Sequence, residues 1–67
     1  MYNIDPHDRV IDRNELTKLV PYSLTHIARL ERLGRFPERI RLGPGRIGWS
    51  VLEILEWIDQ KKSERGP

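Results

Sequence analysis

The 67-residue chain contains no cysteine, which excludes a disulfide framework and every cysteine-based metal site. It has only two histidines, His7 and His26, nineteen residues apart and without patterned partners. No structural zinc is expected from such a set. Long apolar runs are also missing. The longest, Leu19–Tyr22, is four residues with a proline inside it, against the roughly 20 residues that a membrane helix needs. The N-terminal MYNIDPHDR lacks the basic-then-apolar order of a secretion signal. The expectation is therefore a cytoplasmic protein with no membrane partner. A chain this short supports one domain with a small core.

Charge is present but unevenly placed. The net charge is only +2. Residues 1–18 are net −1, residues 19–28 carry no charge, residues 29–46 are net +4 and residues 47–60 are net −3. The basic block holds six arginines, Arg29, Arg32, Arg35, Arg39, Arg41 and Arg46, and no lysine. Arginine's planar fork suits bidentate contact with phosphate or with a guanine edge. A solvated basic surface is the plainer alternative.

Three helix starts and a hairpin organise the chain. Asp12 with Glu15 is a variant capping box, with Ile11 and Leu16 in the staple positions. The first helix follows, with Leu16, Leu19 and Val20 on one face, and Pro21 ends it at or before Val20. Ser23 caps a second helix whose buried stripe is Ile27 and Leu30, with Tyr22 and Ile27 as its staple and Gly34 as its C-cap. Ser50 with Glu53 is a full capping box for a third helix, and Trp49 with Ile54 is its staple. Val51, Ile54, Leu55 and Ile58 form that helix's apolar stripe, beside Trp57. Between the second and third helices, RIRLGPGRIGW alternates as a half-buried strand does. Ile40 and Leu42 are expected to face one side, Arg39 and Arg41 the other, with the tip at Gly43–Gly45 and a return strand through Ile47–Trp49. Val10 and Ile11 add a short third strand. The expected fold class is α+β, mostly helical: a small winged helix-turn-helix with three helices and a β-hairpin wing. Its domain spans residues 9–62, between a flexible leader at 1–8 and a disordered tail at 63–67.

The second helix differs from the other two. Glu15 and Glu53 occupy the third helical position of theirs, whereas His26 takes that place here. An acid there favours a helix through its dipole but repels an approaching phosphate. The second helix keeps its positive end free of acid and offers Ser23, Thr25 and His26 to a DNA backbone or groove. Arg29 and Arg32 share the face of Thr25 and His26. A hairpin carrying Arg35, Arg39, Arg41 and Arg46 follows at once. It reads as a wing that grips phosphates beside the groove occupied by the helix.

The same residues carry a family resemblance. RVIDRNEL, SLTHIARL, GRFPERIRLG, then GW and EILEW resemble the AlpA-type prophage regulators, small MerR-like winged helix-turn-helix proteins related to phage excisionases. The resemblance covers about residues 9–60. It implies a DNA-binding regulator of prophage or mobile-element genes, with no catalysis and no cofactor. It also implies that Ser23 caps a recognition helix, that Thr25 and Arg29 face DNA, and that Arg46 sits in the wing. Two positions depart from the family pattern: Leu24, where a basic residue is common, and Ala28, where a tyrosine is common.

Competing readings are narrower. Trp49 and Trp57 surround a capped amphipathic helix and read as core, not as base-stacking platforms. Asp5, Asp8 and Asp12 lie in a loose leader without a pocket. Ser23 and His26 lack the orienting group and oxyanion site that a nucleophile needs, so no enzyme is expected. Leu24 and Leu33 fit the second helix's stripe poorly; they either widen its core face or form a partner surface. The readings in play are therefore a regulator reading the major groove with helix 23–33 and gripping phosphates with the 39–48 wing, an excisionase-type recombination directionality factor, and an interaction module docking on a recombinase. Double-stranded DNA is the expected partner. A second copy on repeated sites, and an integrase or other regulator, are further candidates.

Overall fold

A computed structural model describes residues 7–65; most of the expected leader, residues 1–6, and the end of the expected tail, residues 66–67, lie outside the described residues. All three helix starts form where the capping residues place them. Strand β1 (Val10–Ile11) leads into helix α1 (Arg13–Leu19), where Asp12 accepts from the Glu15 N–H at 2.9 Å. Helix α2 (Leu24–Arg32) is capped by Ser23, which accepts from the His26 N–H at 3.1 Å. Strands β2 (Ile40–Gly43) and β3 (Arg46–Ser50) form the hairpin, and Ser50 caps helix α3 (Val51–Glu64). Helix α3 therefore runs two residues beyond Lys62, where the sequence places the end of the domain. The result is a small α+β domain, a winged helix-turn-helix, with one three-stranded antiparallel sheet in the order β1-β3-β2.

The staple residues fill the core. Ile11, Leu16, Val20, Ile27, Phe36, Trp49, Val51 and Ile54 are buried, and Tyr22, Leu30, Ile47, Trp57 and Ile58 pack against them. Trp49 lies in the middle strand, paired with Ile11 of β1, and is fully buried. Its indole N–H has no acceptor among the described residues, which costs about 1–3 kcal/mol. Burying about 150–250 Å² of ring at about 25 cal/mol per Å² contributes roughly 4–6 kcal/mol, so the ring's burial outweighs the missing hydrogen bond.

Two apolar residues depart from their expected places. Leu19 and Leu55 are exposed, although each belongs to a predicted stripe. Leu42 is 55% exposed, and the register settles which set of alternating residues in the wing turns inward. The register pairs Arg41 with Ile47 and Ile40 with Gly48, and cross-strand partners share a face. Arg41 therefore lies on the core side with Ile47 and Trp49, while Ile40 and Leu42 lie on the outer side. Arg39 follows the same alternation, its guanidinium 5.7 Å from the Trp49 ring centre. A period of two fixes which residues alternate but not which set faces inward. In this edge strand, a ring and a carboxylate that receive arginine decide it.

The start of α3 also differs from a simple capping box. Ser50 Oγ accepts from the Glu53 N–H at 3.2 Å, and the first two helical N–H groups are taken by the two residues just before β1. The Val51 N–H donates to the Arg9 carbonyl at 2.9 Å and the Leu52 N–H to Asp8 at 3.1 Å. Ser50 Oγ donates to Asp8 at 2.6 Å. These contacts lower the Asp8 pKa below the ordinary 3.8, the Ser50 hydroxyl foremost and the Leu52 N–H next. A carboxylate with a lowered folded pKa stabilises fully above its unfolded value and loses that contribution as pH falls through the folded one.

Two predictions follow from these contacts. Gly48 lies between both neighbouring strands: a Cβ there would collide with Val10 Cγ1 and sit 3.0 Å from the Ile11 carbonyl and 3.2 Å from Leu42 Cδ1. Gly48→Ala is expected to destabilise by about 1–3 kcal/mol, the range for overpacking, as read by chemical denaturation. Asp8→Ala is expected to lower the melting temperature at neutral pH and to narrow its gap from wild type as pH falls below 3.8. Thermal melts across pH 2–7, on the order of the carboxylate range, check this.

Candidate nucleic-acid interface

The recognition-helix candidate is held at both ends. Tyr22 stands edge-on to His26, ring centres 4.6 Å apart, and edge-on to Trp57 of α3 at 6.0 Å. His26 is thereby half-buried at the helix start. Ile27 is fully buried and Leu30 half-buried, which leaves Thr25, Arg29 and Arg32 exposed on the opposite face. At the other end the Arg35 N–H donates to the Leu30 carbonyl at 2.8 Å and the Gly34 N–H to the Glu31 carbonyl at 3.0 Å. This is the Schellman pattern, and it needs the left-handed backbone of Gly34, φ 70°. The chain then turns sharply into Phe36, which is buried edge-on to Trp57 at 4.9 Å. Trp57 Nε1 donates to the Arg35 carbonyl at 2.8 Å, so α3 clamps the loop joining α2 to the wing.

Charge separates the three helix starts. Helix α1 has a carboxylate as its cap and Glu15 in its first turn. Helix α3 has Asp8 on its first N–H groups and Glu53 in its first turn. Helix α2 has a serine cap and no acid in its first turn. Its first intrahelical donor is Ile27, bonded to the Ser23 carbonyl at 3.0 Å. Ser23 Oγ satisfies His26, and the N–H groups of Leu24 and Thr25 precede the helical ladder. Of the three starts, α2's alone has no carboxylate at its cap or in its first turn.

The arginines fall into distinct settings. Arg29 and Arg32 occupy the last turn of α2, where their charge also suits the negative end of the dipole. Arg35 is exposed beside Gly34, and only its backbone is engaged by Trp57. Arg41 is exposed on the core-side face of β2, and Arg46 is exposed at the start of β3 opposite Gly43. Arg39 differs from these. Its Nε and Nη2 each lie 3.0 Å from the Glu31 carboxylate, and its backbone N–H is 3.3 Å from the same group. The hydrogen bond to Glu31 raises the Arg39 pKa above the ordinary guanidinium value, partial burial opposes this, and the opposite charge adds to it.

Three residues that hold the scaffold of this surface together are not in the sequence-derived set. Glu31 counts there only as a charge against the basic block, Asp8 as part of a leader, and Trp57 as core. The Glu31–Arg39 pair spans eight residues across a turn and has no sequence signature. Leu24 and Leu33, which the sequence leaves undecided, are 39% and 60% exposed at the two ends of α2. Among the described residues no group of three or more His, Asp or Glu side chains is placed to hold a metal ion, and no helix is long and apolar enough to cross a membrane.

No curated protein matches this chain. Residues 9–62 match the family described as prophage CP4-57 regulatory protein (AlpA), from just before β1 to Lys62 near the end of α3. The match takes in the acid-free helix start, the clamped loop and the arginine hairpin together: the chain belongs to the AlpA family of prophage regulatory proteins.

Proposed function

We propose that the chain is a DNA-binding transcriptional regulator of prophage or mobile-element genes, working in the cytoplasm without catalysis or cofactor. Residues 23–33 read the major groove and the 39–48 wing grips phosphates alongside. The observation that carries this reading is the open start of α2, capped by serine and free of acid, in a protein whose other two helices begin under carboxylates. A helix start of that kind favours an anion through its N–H groups and its dipole. Ser23, Thr25 and His26 stand at that end, and Arg29 and Arg32 extend the exposed face. Arg35, Arg41 and Arg46 supply the phosphate contacts of the loop and wing. Single copies present a small footprint, so recognition of repeated sites by several copies fits the size of the domain.

An excisionase-type directionality factor would use the same DNA surface and add a recombinase contact. The exposure of Leu24 and Leu33 is the feature that such a contact, or an interaction module without DNA binding, would use.

Selection of duplexes from a random pool, followed by a salt titration of the preferred one, tests the proposal. If four arginines neutralise phosphates, the slope of log K against log salt is about −3.6. Arg29→Ala is expected to cost about 1–3 kcal/mol on the selected sequence and less on others. Arg46→Ala is expected to weaken all duplexes alike and to flatten the slope by about one unit. If neither substitution alters duplex binding, the interaction-module reading replaces this one.

A further inference from the structure

Arg39 is the arginine of the basic block that the fold has already engaged. We propose that it is a positioning residue: with Glu31 and Trp49 it forms a strut that sets the angle between α2 and the wing and keeps the carboxylate of α2 away from phosphate. The consequence for DNA rests on the function proposed above; the strut itself does not.

The geometry supports this in three ways. First, one residue sends three donors to one carboxylate: Nε at 3.0 Å, Nη2 at 3.0 Å and the backbone N–H at 3.3 Å. A fork-to-fork pair of this kind fixes orientation as well as distance. Second, the guanidinium also lies over the Trp49 ring at 5.7 Å, and Trp49 is fully buried in the central strand. The contacts therefore join the last turn of α2, the entry to β2 and the later part of β3. Third, the Glu31 side chain is only 11% exposed. Removing its partner would leave a largely desolvated carboxylate uncompensated, facing the same basic surface that awaits a polyanion. Using Arg39 as a phosphate ligand would require breaking that pair.

The strut explains why the wing stands where it does. Beyond Gly34 the wing is connected to α2 by a short loop, and β2, the strand that follows this loop, is an edge strand paired on one side only, with β3. A fixed angle lets helix and wing meet one duplex without ordering on contact, and such preorganisation favours affinity for the correct geometry.

The test uses the full chain and the variants Glu31→Gln, Arg39→Gln, Arg39→Lys and the Glu31→Gln/Arg39→Gln double. Melting temperatures without DNA come first. Each Gln variant is expected to melt lower, and the double to fall no further than the lower single; losses that simply add would overturn the strut. Binding to the selected duplex and to a random one follows, over a range of salt. Arg39→Gln is expected to reduce the ratio of selected to random affinity roughly tenfold, the scale of one broken coupling between contacting residues, with the salt slope unchanged. Arg39→Lys keeps the charge but loses the fork and is expected to behave like Arg39→Gln. A slope flattened by about 0.9 in Arg39→Gln and restored by lysine would make Arg39 a phosphate ligand instead. Glu31→Gln, the mildest change, separates the two further: loss of a negative charge tightens binding to every duplex on either reading, but a strut lowers the ratio of selected to random affinity, whereas a released phosphate ligand leaves that ratio unchanged. Wild-type chain that binds no duplex would refute the proposed function and leave the strut to be decided by the melts.

Discussion

The burial of Trp49 in the middle strand is the constraint on which the rest of the structure depends. Its ring is fully enclosed, although its N–H is left without an acceptor. On one side it pairs with Ile11 of β1, which brings Asp8 and Arg9 to the start of α3. Immediately after it, Ser50 begins α3 and places Ile54 in the core. Over its face lies Arg39, tied to Glu31 of α2. A chain of this length has little apolar surface to bury, so one large side chain that links the sheet, both later helices and the wing contributes more than its own area.

Electrostatic differences between the helix starts turn this scaffold towards function. Carboxylates close α1 and α3, which stabilises those helices and makes their positive ends poor places for phosphate. Helix α2 gives up that stabilisation. It is held instead by packing: the Tyr22 edge against His26, Ile27 in the core, and the Gly34 turn fastened through Arg35 to Trp57. The helix with the least electrostatic help at its start is thus the one whose cap and first turn carry no carboxylate.

Much of this was legible from local signals. Asp12, Ser23 and Ser50 announce the three starts because a capping side chain acts within three residues of itself, and the staple pairs around them identify core residues for the same reason. Gly34 is legible because few other residues adopt its backbone angle. What the sequence did not reveal is non-local. Which face of the wing turns inward goes with a ring and a carboxylate brought together by the fold, so Arg41 lies on the core side and Leu42 on the outer side. Asp8 reads as leader because its partners, Ser50 and Leu52, lie more than forty residues away. Glu31 reads as an interruption of a basic block because nothing in its spacing from Arg39 marks a pair. For the candidate interface, the exposure of Thr25, Arg29, Arg32, Arg41 and Arg46 is what a helix face and a hairpin allow, while the separate setting of Arg39 comes from a partner that only the fold brings to it.

The central claim is that the open end of α2 and the neighbouring wing form a single surface for duplex DNA. Backbone amide resonances, followed while a duplex is titrated into the labelled protein, test it most directly. The account predicts that Leu24, Thr25 and His26 shift together with Arg41 and Arg46, while Leu52 and Glu53 at the carboxylate-covered start of α3 stay in place. Shifts confined to α3, or none in dilute buffer, would contradict it.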